Sequence, residues 1–358
     1  MKRILNYIIP VFFILAAGCE DIYEPEIDVI ENVLVVDARI SADADTSYVH
    51  LYKSVTFYQA TIGEAIEDAV VTIIDSNGEE YELVNKLAGY YRLVMNIDAN
   101  LQYKLKIEHK GDTYESFFEA VPKNPALDTV YGVEEIQIRK QGGDNNVDNF
   151  EEVHGVQLYA DISPNSSVPY YRFTSRFVLQ YTYPVEVIGE TGMPVTETMY
   201  CWGSVYPTGS FNIASPPEYT STKEIKRHPL FFLPNSKTYS LTHSFAGWII
   251  ILYQHGLTEQ GHGYYDDLNK QLDADGKIFD PMYVQARSNI KCTTDEEKII
   301  LGNFEISAST ETRYFLRYIS EESGFVLRPI TEFYDISEFG EQLIEVPEFW
   351  QKTNLDYR

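Results

Sequence analysis

Apolar and polar residues alternate with a period of two along most of this chain. Leu101, Tyr103, Leu105 and Ile107 take turns with Gln102, Lys104, Lys106 and Glu108, the pattern of a strand with one buried face. Tyr48, His50 and Tyr52 alternate with Val49, Leu51 and Lys53, and Tyr91, Leu93, Met95 and Ile97 share a face. Residues 33–36 and 70–74 are apolar runs, and 114–118 reads as a further strand. Turn signals separate them. Ser76-Asn77-Gly78 predicts a hairpin, because Asn-Gly accepts the positive φ angles of a type I′ turn. Gly89 and Lys110-Gly111-Asp112 mark two more breaks. Short strands at this spacing predict an antiparallel arrangement, so 31–121 reads as one immunoglobulin-like or transthyretin-like β-sandwich.

Pro122-Lys123-Asn124-Pro125 is the best domain boundary. Beyond it, 126–358 reads as a second β-rich domain. A strand falls near 130–138, and 141–149 is a Gly/Asp/Asn loop. Val156, Leu158, Ala160 and Ile162 alternate with polar partners, as do Tyr171, Phe173, Phe177 and Leu179. Residues 204–217 are rich in Pro, Gly and Ser, hence loop, and 248–253 is an apolar strand. The one helix is expected over 258–272, where Leu257, Tyr264, Tyr265, Leu268 and Leu272 recur at helical spacing. Thr258 can cap it, and Gly261 and Gly263 weaken it by about 1 kcal/mol each. Strands resume at 299–306 and 313–318, and no internal repeat is visible. The fold class is therefore mostly β, with one helix in the second domain.

The first thirty residues follow a different logic. Lys2 and Arg3 precede an apolar stretch from 8 to 17, and then comes Ala16-Ala17-Gly18-Cys19. That is the layout of a secretory signal, and it is shorter than the about 20 apolar residues a spanning helix needs. Small residues leading into a cysteine predict cleavage after 18 and lipidation of the Cys19 thiol, leaving 19–30 as an acidic tether. An ordinary signal peptide that happens to contain a cysteine is the alternative. Ala16 departs from the usual Leu three places before the cysteine; Leu15 sits one place earlier. Two or more acyl chains anchor a protein stably where one does not, so the body needs no membrane surface of its own.

Charge narrows the partners. The chain has 28 basic and 54 acidic residues among 358, a net charge of −26. Loss of Lys2 and Arg3 with the leader takes it near −28. Nucleic acid, whose phosphates need Lys and Arg, is excluded as a partner. A content of 44% hydrophobic and 14% aromatic residues builds a core rather than a disordered acidic chain. The 28 tyrosines offer faces that stack on sugars or flat ligands, although tyrosine equally suits half-buried strands. With Cys19 on lipid, Cys201 and Cys292 remain. In an oxidising envelope they point to one disulfide, which would stabilise by roughly 3 to 5 kcal/mol; two free buried thiols are the alternative.

Candidate chemistry is sparse. There is no HExxH helix, GxSxG elbow, Walker loop or CxxC pair. Ser288-Asn289-Ile290-Lys291 fits a Ser-x-x-Lys pattern but lacks the companion motifs of Ser/Lys acylases. His262 and Asp266 are four apart on the expected helix, near His255 and Asp267, and could share a metal; a polar helix face is the simpler reading. Asp273-Ala274-Asp275-Gly276, with Asp280, has part of a calcium-loop pattern without the third early carboxylate or the closing Glu, so a plain turn is expected. The same holds for the loop from Asp144 to Asn149. No metal, no cofactor and no catalytic residue is therefore assigned.

One resemblance remains. In the first domain it rests on Leu34-Val35-Val36, Ala69-Val70-Val71-Thr72-Ile73, Gly89-Tyr90-Tyr91, Tyr103-Lys104-Leu105-Lys106-Ile107 with Gly111 and Tyr114, and Val121-Pro122 with Asp128-Thr129-Val130. In the second it rests on Tyr171-Arg172, Cys201-Trp202, Gln254, the helix from Leu257, Phe279-Asp280-Pro281, Asn289-Ile290 and Leu301-Gly302-Asn303-Phe304. Ser288 stands where Gly is more usual. The pattern resembles the Bacteroidota outer-membrane lipoproteins grouped as domain of unknown function 4249. In such lipoproteins an acidic patch after the cysteine, here Glu20, Asp21, Glu24, Glu26 and Asp28, resembles an export signal for the outer leaflet. The resemblance implies a Gram-negative envelope protein, lipid-anchored in the outer membrane and exposed at the cell surface. It also implies a TonB-dependent transporter as partner and no reaction. The expectation is a non-enzymatic accessory that captures substrate or shapes the transporter mouth, its small-molecule, peptide or glycan ligand unnamed. The alternative is a surface adhesion or structural protein whose β domains act as spacers and bind host or matrix glycans. A hydrolase would need acid, base and nucleophile in one cluster.

Overall fold

The computed structural model describes residues 32–55, 63–140, 150–164, 168–207, 209–218, 221–234, 244–273, 286–320, 324–330 and 342–343. Cys19, the leader and the acidic tether lie outside them. So do the loop from Asp144 to Asn149 and the segment holding Asp275, Gly276 and Asp280. Within the described residues the protein is mostly β with one helix, as the alternation predicts.

Three sheets carry the fold. The first and largest contains β1 (Leu34–Ser41), β2 (Thr46–Lys53), β5 (Val84–Leu87), β6 (Tyr90–Val94), β12 (Tyr170–Ile188), β13 (Pro194–Val205), β16 (Ser244–Leu257), β18 (Ile300–Ser320) and β20 (Gln342–Leu343). Their order is β20-β13-β12-β16-β18-β1-β2-β6-β5, with β14 (Asn212–Ala214) added on β12 and β19 (Gly324–Ile330) on β18. The second sheet contains β3 (Val70–Asp75), β4 (Glu80–Glu82), β7 (Gln102–His109), β8 (Asp112–Ser116), β9 (Glu119–Ala120) and β17 (Ile290–Cys292). The third is β10 (Thr129–Lys140), β11 (Phe150–Ile162) and β15 (Ile225–Pro234). The helix, α1, runs Glu259–Leu272.

The two smaller sheets pack on the same face of the large one. Along β18, Phe304 and Ile306 enter a core with Val36, Ala38, Leu51, Ile73, Leu105 and Tyr91. Ten residues later on that face, Leu316 enters a second core with Phe173, Ile250, Leu158 and Trp248. One 21-residue strand thus runs through both sandwiches. Its first part pairs in parallel with β1, Leu34 opposite Ile300 through Ser41 opposite Ser307. From Ala308 onward it pairs with β16. Each fully buried Leu, Ile, Val or Phe in such cores is worth about 1.5–3 kcal/mol.

The first sandwich therefore takes in residues far from 31–121. Besides β18 it gains β17, where Ile290 lies opposite Ser116 and Cys292 opposite Tyr114. The Pro-rich boundary at 122–125 is pinned at the seam. Asn124 donates to Asp43 and to the Ser309 carbonyl (2.7 and 3.0 Å), and Thr310 donates to the Pro125 carbonyl at 2.6 Å.

Turn chemistry differs from expectation at one site. At Asn77-Gly78 only Gly78 has a positive φ. The turn is closed by the Gly78 amide on the Asp75 carbonyl (3.0 Å), and the Asp75 carboxylate accepts from the Asn77 and Glu79 amides (2.8 and 3.0 Å). That carboxylate holds a longer turn ending in a left-handed glycine, in place of a two-residue type I′ loop. Among the described residues, the two-residue loops with both φ values positive are Ala88-Gly89 and Lys110-Gly111.

Of the two cysteines expected to pair, Cys201 and Cys292, only Cys292 has a described side chain. Cys292 is a free, buried thiol, with Sγ 3.2 Å from Thr294 Oγ1. It sits on β17 in the second sheet, whereas the backbone of Cys201 belongs to β13 in the large sheet, opposite Tyr181.

Candidate functional site

The face of the large sheet turned away from both cores is not a plain solvent face. On β1 the residues between the core positions are Val35, Asp37 and Arg39; on β18 they are Leu301, Asn303 and Glu305; on β2 they are Tyr48, His50 and Tyr52. α1 lies across the middle of this face, and a cleft of about 190 Å³ opens beside it. Asp37, Arg39, Tyr52, Asn303, Phe211 and Tyr264 are among its walls.

α1 is placed by its cap and by two clamps. Thr258 Oγ1 accepts from the Gly261 amide at 3.1 Å, satisfying one of the free N–H groups of the first turn. Asn269 holds the Phe211 backbone in both directions, each bond 2.7 Å, which brings Phe211 to the cleft and sets its ring 4.9 Å from that of Tyr265. Asp267, buried on the helix, binds Arg287 at 2.9 Å. Burial would raise the Asp267 carboxyl, but the Arg287 hydrogen bonds outweigh it and hold it low. The apolar stripe is narrower than predicted: Leu257 and Tyr265 are buried, while Leu272 is exposed.

Beneath α1 lies a buried ionic cluster. Arg172 on β12 donates to Glu305 Oε1 at 2.8 Å, and the Tyr265 hydroxyl donates to Glu305 Oε2 at 2.6 Å. The Arg172 guanidinium also lies over the Tyr265 ring, 4.9 Å from its centroid. Burial acts to raise the Glu305 carboxyl; the Arg172 charge and the two hydrogen bonds prevail and hold it below its ordinary value. Burial, and then the Glu305 charge, push the Tyr265 hydroxyl far up. Tyr264 is pushed up to about 12, chiefly by burial. Next to them His255 is lowered to about 4, by burial and then by Arg172, and its Nε2 lies 2.8 Å from Thr174 Oγ1. These groups hold one another in fixed protonation states at neutral pH, which suits a rigid wall rather than proton transfer.

Asn303 forms part of the cleft lining. It is 5% exposed, and neither its amide nitrogen nor its oxygen has a hydrogen-bond partner. It follows Gly302, whose φ is +98° and whose added Cβ would lie 1.9 Å from the Val36 carbonyl oxygen. Only glycine lets β18 approach β1 this closely. Phe304 comes next, its amide and carbonyl bound by the Asn289 side chain at 2.9 and 2.7 Å. Asn289 thereby ties the second sheet to the first across the core.

The other sequence candidates end in ordinary roles. Asp266 pairs with Lys270 at 2.6 Å, and His262 lies against the Tyr170 ring, 5.2 Å between centroids. No group of three metal-ligating side chains occurs among the described residues. Ser288 Oγ accepts from the Ile290 amide at 3.1 Å, ending a turn, and Lys291 Nζ lies 5.2 Å from the centre of the Phe117 ring. Asp273 is the C-cap of α1. Sequence reasoning named Arg172 and Asn303 only within longer strings, and passed over Asp37, Arg39, Phe211 and Glu305. Their signal was weak: an Arg and a Glu inside apolar strands, with nothing to say that they meet.

No helix among the described residues is long and apolar enough to cross a membrane. A family model described as Domain of unknown function (DUF4249) matches residues 20–313. That span includes the cleft, the ionic cluster, the first core and every buried member of the second except Leu316. No curated protein and no solved structure matches the chain.

Proposed function

The chain belongs to the DUF4249 family, and from that membership, its N-terminal sequence and the cleft beside α1 we propose a ligand-capturing accessory of a TonB-dependent transporter. In this reading Cys19 is lipidated and anchors the protein to the outer membrane, facing the cell exterior. The role is non-enzymatic. The observation that carries it is the cleft itself: it is open and partly aromatic, and its charged groups are already paired with each other. Arg39 and Asp37 form two hydrogen bonds of 2.8 and 2.7 Å, and Glu305 is committed to Arg172 and Tyr265. Such a site supports binding better than it supports a general base or a nucleophile.

Affinity purification of the tagged full chain from detergent-solubilised membranes tests this, with Cys19→Ser in parallel and mass spectrometry of the N-terminal peptide. The expected result is a thioether-linked lipid on Cys19 and co-purification of a TonB-dependent transporter. Repeated recovery of the protein without such a transporter would overturn the role, and an unmodified Cys19 would overturn the anchor. A second reading, a surface adhesion protein binding host or matrix glycans, is favoured by one feature, the exposed rings of Tyr48 and Tyr90 beside His50. It predicts glycan binding with no transporter partner.

A further inference from the structure

The strand register lines up side chains across the outer face of the large sheet. Asn303 lies opposite Asp37, Asp37 opposite His50, and His50 opposite Tyr90. One row therefore runs over β18, β1, β2 and β6, from the lining of the cleft to an exposed aromatic pair. At about 4.8 Å per strand it is about 14 Å long. His50 and Tyr90 stack with centroids 4.0 Å apart and planes 2° from parallel. Tyr52, at the cleft, lies 4.9 Å from His50, and Tyr48 is exposed one row away.

We propose that this row, with the cleft at its end, binds a neutral oligosaccharide, one pyranose ring in the cleft beside Asn303 and the following rings over Tyr52, His50, Tyr48 and Tyr90. The proposal rests on the reading of the protein as a ligand-capturing one and names the ligand class.

The cleft holds about 190 Å³, the share of about six waters in the liquid. That suits a single sugar ring and falls below drug-sized pockets of about 300–1,000 Å³. Both polar atoms of the Asn303 amide are buried without a partner, so a turn of this side chain into the cleft would present a donor and an acceptor, and a sugar hydroxyl can meet either. Leaving them unmet is costly, so a ligand that supplies both is strongly preferred. Asp37 and Arg39 add an acceptor and donors while cancelling each other's charge. With the chain at −26 overall, anionic ligands are repelled. The Tyr48 and Tyr90 rings, each about half exposed, offer apolar surface to the C–H faces of pyranoses. An extended peptide is less suited, because peptides commonly add to a sheet at its edge, and this row crosses the middle of the sheet.

The test uses the full chain in a micelle of a detergent without a sugar headgroup, titrated calorimetrically with neutral hexasaccharides of glucose, mannose and xylose. Hexaalanine and an oligogalacturonate are the comparison ligands. At least one neutral hexasaccharide is expected to bind, and Tyr48→Ala, His50→Ala and Asn303→Leu each to weaken it about tenfold, or about 1.4 kcal/mol. Tyr48 and His50 lie on the surface strip, so their variants keep the test valid should Asn303→Leu fail to fold. Failure of every neutral sugar, equal affinity in Tyr48→Ala and His50→Ala, or displacement of the sugar by hexaalanine would each overturn the proposal. If the transporter still co-purifies in that case, the ligand class is wrong and the accessory role stands.

Discussion

Glu305 is a full negative charge set into the middle of the molecule, and its energetics depend on what surrounds it. The pair with Arg172 is almost entirely shielded, with side-chain exposures of 3% and 7%. In that setting the pair itself is worth little relative to apolar packing, whereas breaking it strands a buried charge. Glu305→Gln is therefore expected to lower the unfolding free energy by about 3 to 5 kcal/mol in urea titrations. The double change Glu305→Leu with Arg172→Met should recover most of that loss; a double variant no better than the single would refute the argument. His255 gives a pH counterpart. Its folded pKa, about 4, lies below the ordinary 6.5, so the unfolded chain binds the proton more readily. Stability from this group is complete above about pH 6.5 and drains away as pH falls toward 4, by roughly 3 kcal/mol. His228, also lowered to about 4 by burial, acts in the same window. His255→Phe should flatten part of the stability profile between pH 6.5 and 4; an unchanged slope there would contradict the buried neutral imidazole.

Among the elements, α1 was the most legible and its surroundings the least. Thr258 as N-cap and the span to 272 followed from a capping residue and a helical apolar stripe. Thr258→Ala should lower stability by about 1 kcal/mol and, because α1 walls the cleft, increase hydrogen exchange at Gly261. No change in exchange there would mean that the cap does not hold the helix end. The strands were legible too, since alternation reports which face is buried. It says nothing about what lies on the other face, so Asn303 and Glu305 looked like solvent-facing positions although both are buried. Strand partners were equally hidden: nothing near Val36 announces Gly302, 266 residues on. That contact is where close approach matters most. Gly302→Ala must both adopt φ +98° and fit a Cβ 1.9 Å from the Val36 oxygen, so it should cost more than the about 1 kcal/mol of a strained residue alone. Gly78→Ala, at φ +88° in open space, isolates the backbone part; equal losses at the two sites would show that β1 and β18 can separate freely.

At the scale of the whole molecule, the shared strand turns two sandwiches into one folding unit. Reading 31–121 as one sandwich follows from its alternation and turn signals, yet its core is completed by Ile290, Cys292, Ile300, Phe304 and Ile306. Cut at 121, the fragment loses these side chains, leaves β1 and β8 as bare edges, and removes the Asn289 clamp on Phe304. Open edges and a missing core layer favour aggregation over a unique fold. The fragment is therefore expected to give broad, uncooperative denaturation, and a peptide covering 286–308, added in excess, to restore a sharper transition. The full chain should melt once, with calorimetric and van't Hoff enthalpies in agreement, because β18 cannot leave one core without being pulled from the other. Two resolved transitions, or a fragment 31–121 that melts as steeply as the full chain, would show that the sandwiches are independent. The same coupling bears on function, since the cleft and its row of side chains straddle β18 and β1. A ligand seated there touches residues from both halves of the chain and stabilises them together by mass action, so it should raise the single transition as a whole.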